Sequence, residues 1–447
     1  MVKTHKPPNV LVFFSDQQRF DSLGCNGQPL DITPRIDHMA AEGVNYTMAY
    51  TPQPVCGPAR AVMQSGLYAT QTGCYRNGIP LPYDCDSLAR RMKRAGYHVA
   101  YVGKWHLGSV GDAMEVMTAP VPLKSRGGYD EYWVAVESLP KTSRGYGGYI
   151  FDTEGGKRVF TGYRTDCVTD YALEYLDACP AGDGKPFFLF LSHIEPHHQP
   201  NTGLHEGPAG SREKYAGFIR PPDLAHGEGD WESQYPDYLG CCNALDRNLG
   251  RVLDKLGERG LSEETIVFYT SDHGSHFRTK THEASPDGYD DYKRNCYENT
   301  IRVPLVVRGP GFTGGKIDSR LVSLLDIPKT IVDAAGGDNG GMAGESLFGQ
   351  TGRDAVYIQI SESFVGRAVR TGRYTYCVHA PGKHPWNDSA SEIYRDRRLF
   401  DNDTDPCQET NLIYDPAYTE IKADLRAKLI SLARQAGEGT ITVTDDT

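Results

Sequence analysis

The sequence predicts an α/β fold: a large mixed, mostly parallel sheet sandwiched by helices, followed by a smaller C-terminal antiparallel sheet plus helix. Three observations lead there. Short apolar runs of the buried-strand type, such as Asn9-Val-Leu-Val-Phe-Phe14 and Phe187-Phe-Leu-Phe-Leu191, alternate with amphipathic helical stretches. Several of these runs empty into a polar motif, as strands of an open parallel sheet do at the edge where ligands bind. Beyond roughly residue 350 the pattern changes to short alternating strands and a last helix. The expected division is a main domain over 1–350 and a subdomain over 351–447.

A chain of 447 residues has ample length for a full core, and 39% hydrophobic with 23% charged residues is ordinary for a soluble globular enzyme. The formal charge of −11 argues against nucleic acid or an anionic membrane as the main partner. Basic residues serving an anionic substrate must then be concentrated locally. The 11 cysteines, an odd number that includes the adjacent Cys241-Cys242, do not resemble a disulfide framework and fit a reducing compartment. Met1 to Pro8 leads into Val10 to Phe14 without a signal-peptide apolar region, and no apolar run approaches membrane-spanning length. A cytoplasmic location is expected, unless a leader was trimmed.

In chain order, the Asn9 to Phe14 strand ends in Ser15-Asp-Gln-Gln-Arg-Phe-Asp21. Asp16 and Gln17 offer oxygen donors suited to a hard cation such as Ca²⁺ or Mg²⁺, although alone the pair reads equally as a polar strand end or helix cap. Thr33-Pro-Arg-Ile-Asp37 begins a helix that runs through Glu42 and stops at Gly43. The chain then extends to Pro54-Val-Cys-Gly-Pro-Ala-Arg60, where Pro58 suits a first helical turn because its missing N–H costs no hydrogen bond. Cys56 is placed at the helix N-terminus with Arg60 one turn on along the same face. Free N–H groups and the positive helix end favour an anion there, so the motif reads as a nucleophile with an anion preference. A buried structural thiol is the commoner fate of a lone Cys.

Leu88 to Ala95 is an amphipathic helix ended by Gly96, and His98 to Val102 the next strand, leading into Gly103-Lys-Trp-His-Leu-Gly108. Lys104 and His106 alternate on an extended segment and face one side. Gly108 to Asp166, rich in Gly and Tyr, is expected to form loops rimming a pocket. Val168 to Ala178 is helical, and the Phe187 to Leu191 strand opens into Ser192-His-Ile-Glu-Pro-His-His-Gln-Pro200, where spacing leaves metal ligation and acid/base work both open for His193, His197 and His198. Residues 201–236 read as a long polar loop before a helix from about Tyr238 to Leu256. Thr265 to Tyr269 is a strand followed by Ser271-Asp-His-Gly274, and Val303 to Val307 another beyond Lys293. Asp326 to Ala335 is helical, Gly336 to Gly344 a surface loop, and Val356 to Ile360, Tyr374 to Val378 and a helix from about Tyr418 to Gln435 make the C-terminal layer.

Recurrence of polar motifs after successive strands is stronger than any one of them. The set holds carboxylates, an amide and a His suited to a cation, a modifiable Cys and three basic groups, a site for activating a tetrahedral oxyanion. Cys56-Gly-Pro-Ala-Arg60, Gly103-Lys-Trp-His-Leu-Gly108, Pro196-His197, Ser271-Asp-His-Gly274, Lys293 ahead of Tyr297-Glu298, and Leu399-Phe-Asp401 with Asp405-Pro406, Glu409 and Asn411-Leu412 carry a resemblance. Almost end to end, the chain resembles the formylglycine-dependent sulfatases of the alkaline-phosphatase-like superfamily.

That resemblance implies that Cys56 is oxidised to formylglycine by a maturation enzyme, a transient partner. It implies that the hydrated aldehyde attacks sulfur and releases the alcohol, dividing one hard displacement into two steps. Asp16, Gln17, Asp272, His273 and the formylglycine oxygen would hold a divalent cation, Ca²⁺ first, with Mg²⁺ or Mn²⁺ as alternatives. Arg60 would steady the aldehyde hydrate, Lys104 and Lys293 would bind sulfate oxygens, His197 with Lys293 would protonate the leaving oxygen, and His106 would take the proton that expels sulfate. Gln17 stands where many members carry a second Asp, and Ala59 where Ser is frequent. The implied substrate is a small sulfated saccharide or aryl sulfate, with Arg126, Arg144, Arg278, Lys280, His282, His193 and His198 as rim candidates. A phosphonate monoester or phosphodiester hydrolase of the same fold, and an unmatured protein that only binds sulfated glycans, are the rival readings.

Overall fold

Strand β1, Asn9–Asp16, is buried along its whole length and organises the main sheet. Val10, Val12 and Phe14 face one hydrophobic layer and Leu11 and Phe13 the other, so the apolar run serves two cores at once. The computed structural model describes residues 6–108, 111, 113–179, 184–225, 227–281, 284–349 and 352–445. Its further strands are β2 (Val44–Tyr46), β3 (Ala49–Tyr50), β4 (His98–Lys104), β5 (Tyr132–Val136), β6 (Tyr146–Phe151), β7 (Lys157–Tyr163), β8 (Phe187–Pro196) and β9 (Thr265–Ser271). They continue as β10 (Leu305–Arg308), β11 (Lys316–Asp318), β12 (Val322–Ser323), β13 (Ala355–Ile360), β14 (Gly366–Thr371), β15 (Tyr374–His379), β16 (Ile393–Asp401) and β17 (Thr442–Thr444).

Ten strands form the main sheet in the order β11-β2-β10-β9-β1-β8-β4-β5-β6-β7. The central strands β9, β1, β8, β4 and β5 run parallel, and antiparallel pairs at β9–β10 and β5–β6 carry the sheet outwards. Helices Cys56–Ser65, Leu88–Arg94 and Asp326–Ala334 bury their apolar faces against one side, and Pro34–Glu42, Arg164–Ala178 and Trp231–Glu258 against the other. Close approach of β4 to β8 depends on Gly103 at φ 108°, where an added Cβ would lie 1.9 Å from the Ser192 carbonyl oxygen.

Three expectations are corrected. The stretch expected to be loops from Gly108 to Asp166 contains β5, β6 and β7. Exposure of β6 and β7, with glycines at 147, 148 and 162, erases the alternation that would reveal edge strands. The expected loop over 201–236 gives way at Trp231 to a 28-residue helix, because Pro236 lies in its second turn and withdraws only one N–H. Strand β8 does not stop at Leu191 but continues, fully buried, to Pro196.

Strands β13 to β17 form a separate five-stranded sheet, antiparallel but for the β16–β17 pair. The helix Thr419–Gln435 covers it through Leu425, Leu429 and Ala433. None of the helices among the described residues is long and apolar enough to cross a membrane.

Candidate active site

The C-terminal ends of β1, β4 and β9, together with Ser192 midway along β8, bring Asp16, Lys104, Ser192 and Ser271-Asp272 to one edge of the sheet. There the helix Cys56–Ser65 begins, buried throughout, after Val55 in extended conformation. Its open first turn is completed by Asn77, whose Oδ1 accepts from the Gly57 N–H at 2.9 Å. Cys56 Sγ lies 3.1 Å from Lys293 Nζ, 3.3 Å from His273 Nε2 and 3.5 Å from Asp16 Oδ1. Arg60, one turn on, donates to Asp16 Oδ2 at 2.8 Å, to the Lys104 carbonyl at 2.8 Å and to Ser192 Oγ at 2.7 Å. Lys104 Nζ meets the same Asp16 oxygen at 2.6 Å.

Each positive group therefore has a fixed place around two buried carboxylates. Burial works against ionising Asp16, yet Lys104, His197, Arg60 and Lys293 hold it well below the usual carboxylate range. Asp272 lacks such close cations: burial and the Asp16 charge push it up to about 7. For Cys56, burial and Asp16 raise the thiol, but Lys104, Lys293 and His273 prevail and bring it down to about 5. The arrangement stabilises negative charge at the head of this helix.

The two other histidines differ in what their ring nitrogens face. His197 Nδ1 bonds the His198 carbonyl, which leaves Nε2 as the acceptor for Lys293 Nζ at 2.7 Å. Burial first and Lys293 next hold His197 well below the ordinary imidazole value. Burial, Lys104 and Arg60 do the same for His106, whose buried Nδ1 has no hydrogen-bond partner among the described residues. His106 sits at φ 61°, turned out of β4 while its N–H bonds the Glu137 carbonyl at 3.0 Å.

Ligand atoms of Asp16, Cys56, Asp272 and His273 lie within 4.8 Å of one another, all buried. The residues fit a divalent cation on their own chemistry. Asp272 Oδ2 is buried without a hydrogen-bond partner among the described residues, and His273 Nδ1 bonds the Gly274 carbonyl at 2.9 Å, so its Nε2 lone pair points into the cluster. Two carboxylates and one imidazole suit Ca²⁺, Mg²⁺ or Mn²⁺, and an oxygen in place of the Cys56 sulfur would suit them better. Gln17, at φ 64°, gives its N–H to Asp272 Oδ1 at 2.9 Å, while its side-chain oxygen lies 3.5 Å from Lys293 Nζ.

The Sulfatase family model matches residues 8–337. The chain belongs to the sulfatase family. It is thus a sulfuric ester hydrolase. The ulvan-active sulfatase of Formosa agariphila is 28% identical over 96% of this chain and 82% of that protein. In fold, this sulfatase superposes on the solved complex of BT4656 with D-glucosamine-2-N,6-O-disulfate at TM-score 0.78 and 22% identity, covering 97% and 99% of the two chains. It also superposes on the phosphonate monoester hydrolase of Agrobacterium radiobacter at TM-score 0.68 and 22% identity, covering 96% of each.

The expected rim is corrected in part. His193 faces the opposite side of β8 from Ser192, packed against Phe13 in a tilted pair with ring centroids 4.8 Å apart, and so lies away from the Cys56 cluster. Arg126 is a buried brace, bonding the Val121 and Thr153 carbonyls at 2.9 and 2.8 Å. Lys280 is paired with Glu409 at 2.8 Å. His198 packs on Tyr292 and Arg278 lies over the same ring. His282 lies outside the described residues. Sequence reading missed Ser192, Asn77 and Glu362. Glu362 accepts from Asn77 N–H at 2.7 Å and from Arg294 Nε at 2.5 Å, from the β13–β14 connection. No local pattern marks a contact across so long a stretch of chain.

Proposed function

We propose that this sulfatase removes a sulfate ester from a small saccharide of the glycosaminoglycan type, using a formylglycine made from Cys56 and a divalent cation. The observation that carries the reading is the convergence on Cys56, at a helix N-terminus, of Lys293, His273 and Asp16. When present, the formylglycine would supply a nucleophilic oxygen, and Asp16, Asp272, His273 and the residue-56 oxygen, with Gln17 beside them, would hold a cation that would supply Lewis-acid charge. The chain's own residues do the rest. Lys104 and Lys293 hold the transferring group's oxygens, and Arg60 fixes Asp16 and the helix to the sheet. Lys293 donates into His197 Nε2, so the pair holds one transferable proton beside the leaving oxygen. His106, whose Nδ1 has no hydrogen-bond partner among the described residues, takes the proton whose loss expels sulfate.

A saccharide substrate is supported by the ulvan-active sulfatase and by the glucosamine disulfate bound to BT4656. Residues 1–350 form the catalytic unit in this reading, and 351–447 a subdomain that supports the site. A formylglycine-generating enzyme is the implied transient partner. Phosphonate monoester hydrolysis is the second reading, favoured by the likeness to the Agrobacterium radiobacter enzyme. The deciding experiment compares sulfate release from sulfated mono- and disaccharides and an aryl sulfate with turnover of a phosphonate monoester. Matured protein is expected to release sulfate from a saccharide, and Cys56→Ala to release none. Preference for the phosphonate with formylglycine confirmed would overturn the proposal.

A further inference from the structure

A cavity of about 390 Å³ is lined by Met114, Lys141, Thr142, Arg144, Gly148 and Asn201 among others. Hydrogen bonds tie its surroundings to the segments that carry His106 and His197. Glu137, at the end of β5, accepts from the His106 N–H through its carbonyl and from the Gly108 N–H through its carboxylate, both at 3.0 Å. Four residues past His197, Asn201 Nδ2 donates to the Pro140 carbonyl at 2.7 Å.

The wall is built rather than loose. Ser143 and Gly148 pair as an antiparallel bridge, and the Arg144 N–H bonds the Gly147 carbonyl at 3.0 Å. Gly148 sits at φ 156°, and a Cβ there would lie 2.3 Å from Ser143 Cβ. In a chain of net charge −11 most arginines have carboxylate partners, yet among the described residues neither Lys141 nor Arg144 has a side-chain partner. Thr142, 5% exposed, has a buried hydroxyl without a hydrogen-bond partner among the described residues. Arg164 donates to Ser143 Oγ at 3.3 Å from behind and is balanced by Glu195 at 2.8 Å and Glu206 at 3.8 Å. The unbalanced charge on this wall is therefore that of Lys141 and Arg144.

We propose that this cavity is a second anion subsite, which holds a carboxylate or a further sulfate on the sugar adjoining the one that is desulfated. Lys141 and Arg144 supply charge-assisted hydrogen bonds and Thr142 a neutral one. The inference rests on the saccharide reading above, and binding tests it apart from catalysis. Calorimetry on the Cys56→Ala protein uses a monosulfated hexuronate–hexosamine disaccharide, its methyl ester, and a disaccharide bearing a second sulfate in place of the carboxylate. Lys141→Ala with Arg144→Ala is expected to weaken binding of at least one dianion by about tenfold to a hundredfold, the usual worth of one lost charge-assisted contact. The methyl ester should bind the parent protein as weakly as the acid binds the double variant if the carboxylate is the ligand. Retained affinity for the disulfated sugar alone assigns the site to sulfate. With matured protein, the loss in kcat/KM should be at least tenfold larger for the favoured disaccharide than for a neutral aryl sulfate. Equal losses on both substrates, or dianion binding unaffected by the double variant, would overturn the subsite. Failure of every sulfate ester with formylglycine confirmed would overturn the catalytic reading, while calorimetry would still report on the cavity.

Discussion

Asp16 takes two cations on one oxygen, Lys104 and Arg60, and turns the other toward Cys56. That division explains why Asp16 is held well below the usual carboxylate range in full burial while Asp272, nearby, is pushed up to about 7. In the proposed reaction, proton delivery rests on a different pair. If His197 and Lys293 serve the leaving oxygen, His197→Ala should lower kcat on a saccharide sulfate by about 10²–10⁴-fold, the usual worth of a positioned acid. The loss should shrink on an aryl sulfate whose phenolate departs without a proton. Steady-state kinetics on the two esters checks this, and an equal loss on both would remove His197 from that role. The histidines also show what residue-level reading misses. Had β8 been carried through to Pro196, simple alternation would have put Ser192 and His193 on opposite faces, as observed. The run was expected to end with its last apolar residue, because polar residues buried in a strand look like a loop until their partners are known.

Helix starts set the next level. The Cys56 helix has no side-chain cap from Val55, so Asn77 caps it at Gly57, and Glu362 fixes Asn77 together with Arg294, the neighbour of Lys293. Glu362 is fully buried and comes from the β13–β14 connection, so the small sheet positions the head of the Cys56 helix. Glu362→Gln keeps the shape but removes the charge facing Arg294. It should lower kcat by roughly tenfold with little change in KM, and Glu362→Asp should restore part of the loss; a change in KM alone would refute a positioning role. A second start is held similarly, by Asp246 Oδ1 accepting the Arg35 and Ile36 N–H groups at 2.9 and 2.8 Å. Burial pushes Asp246 up to about 7 from 3.8, against those hydrogen bonds. The folded state thus holds its proton longer than the unfolded chain, so this group's contribution is full below pH 4, erodes as pH rises toward 7 and is gone above it. Asp246→Asn should therefore gain in melting temperature relative to the parent protein between pH 5 and pH 8. A difference that stays flat across that range would mean that Asp246 is ionised throughout. The helix starts at Pro34 and Cys56 were legible from Pro placement, but neither capping partner was, since each lies far away in sequence.

At the scale of the molecule, the site is where separate parts of the chain are tied together. The central strands were legible because a strand buried on both faces reads as an unbroken apolar run, as β1 does with each of its residues buried. Edge strands β6 and β7 were less so, because half-exposed strands with glycines carry little periodicity. The four groups of the cation cluster come from β1, the Cys56 helix and the end of β9. A cation bound there links these elements only in the folded state, and by mass action it stabilises that state by about 2.7 kcal/mol at a hundredfold excess over its Kd. Added Ca²⁺ or Mn²⁺ should accordingly raise the melting temperature of protein stripped with a chelator, independently of whether Cys56 has been matured. Asp16→Asn retains the hydrogen-bonding shape but removes the charge shared with the cation, and should abolish most of that rise. An equal rise in both proteins would locate cation binding elsewhere, whereas a rise confined to the parent protein would assign it to the cluster at the head of the Cys56 helix.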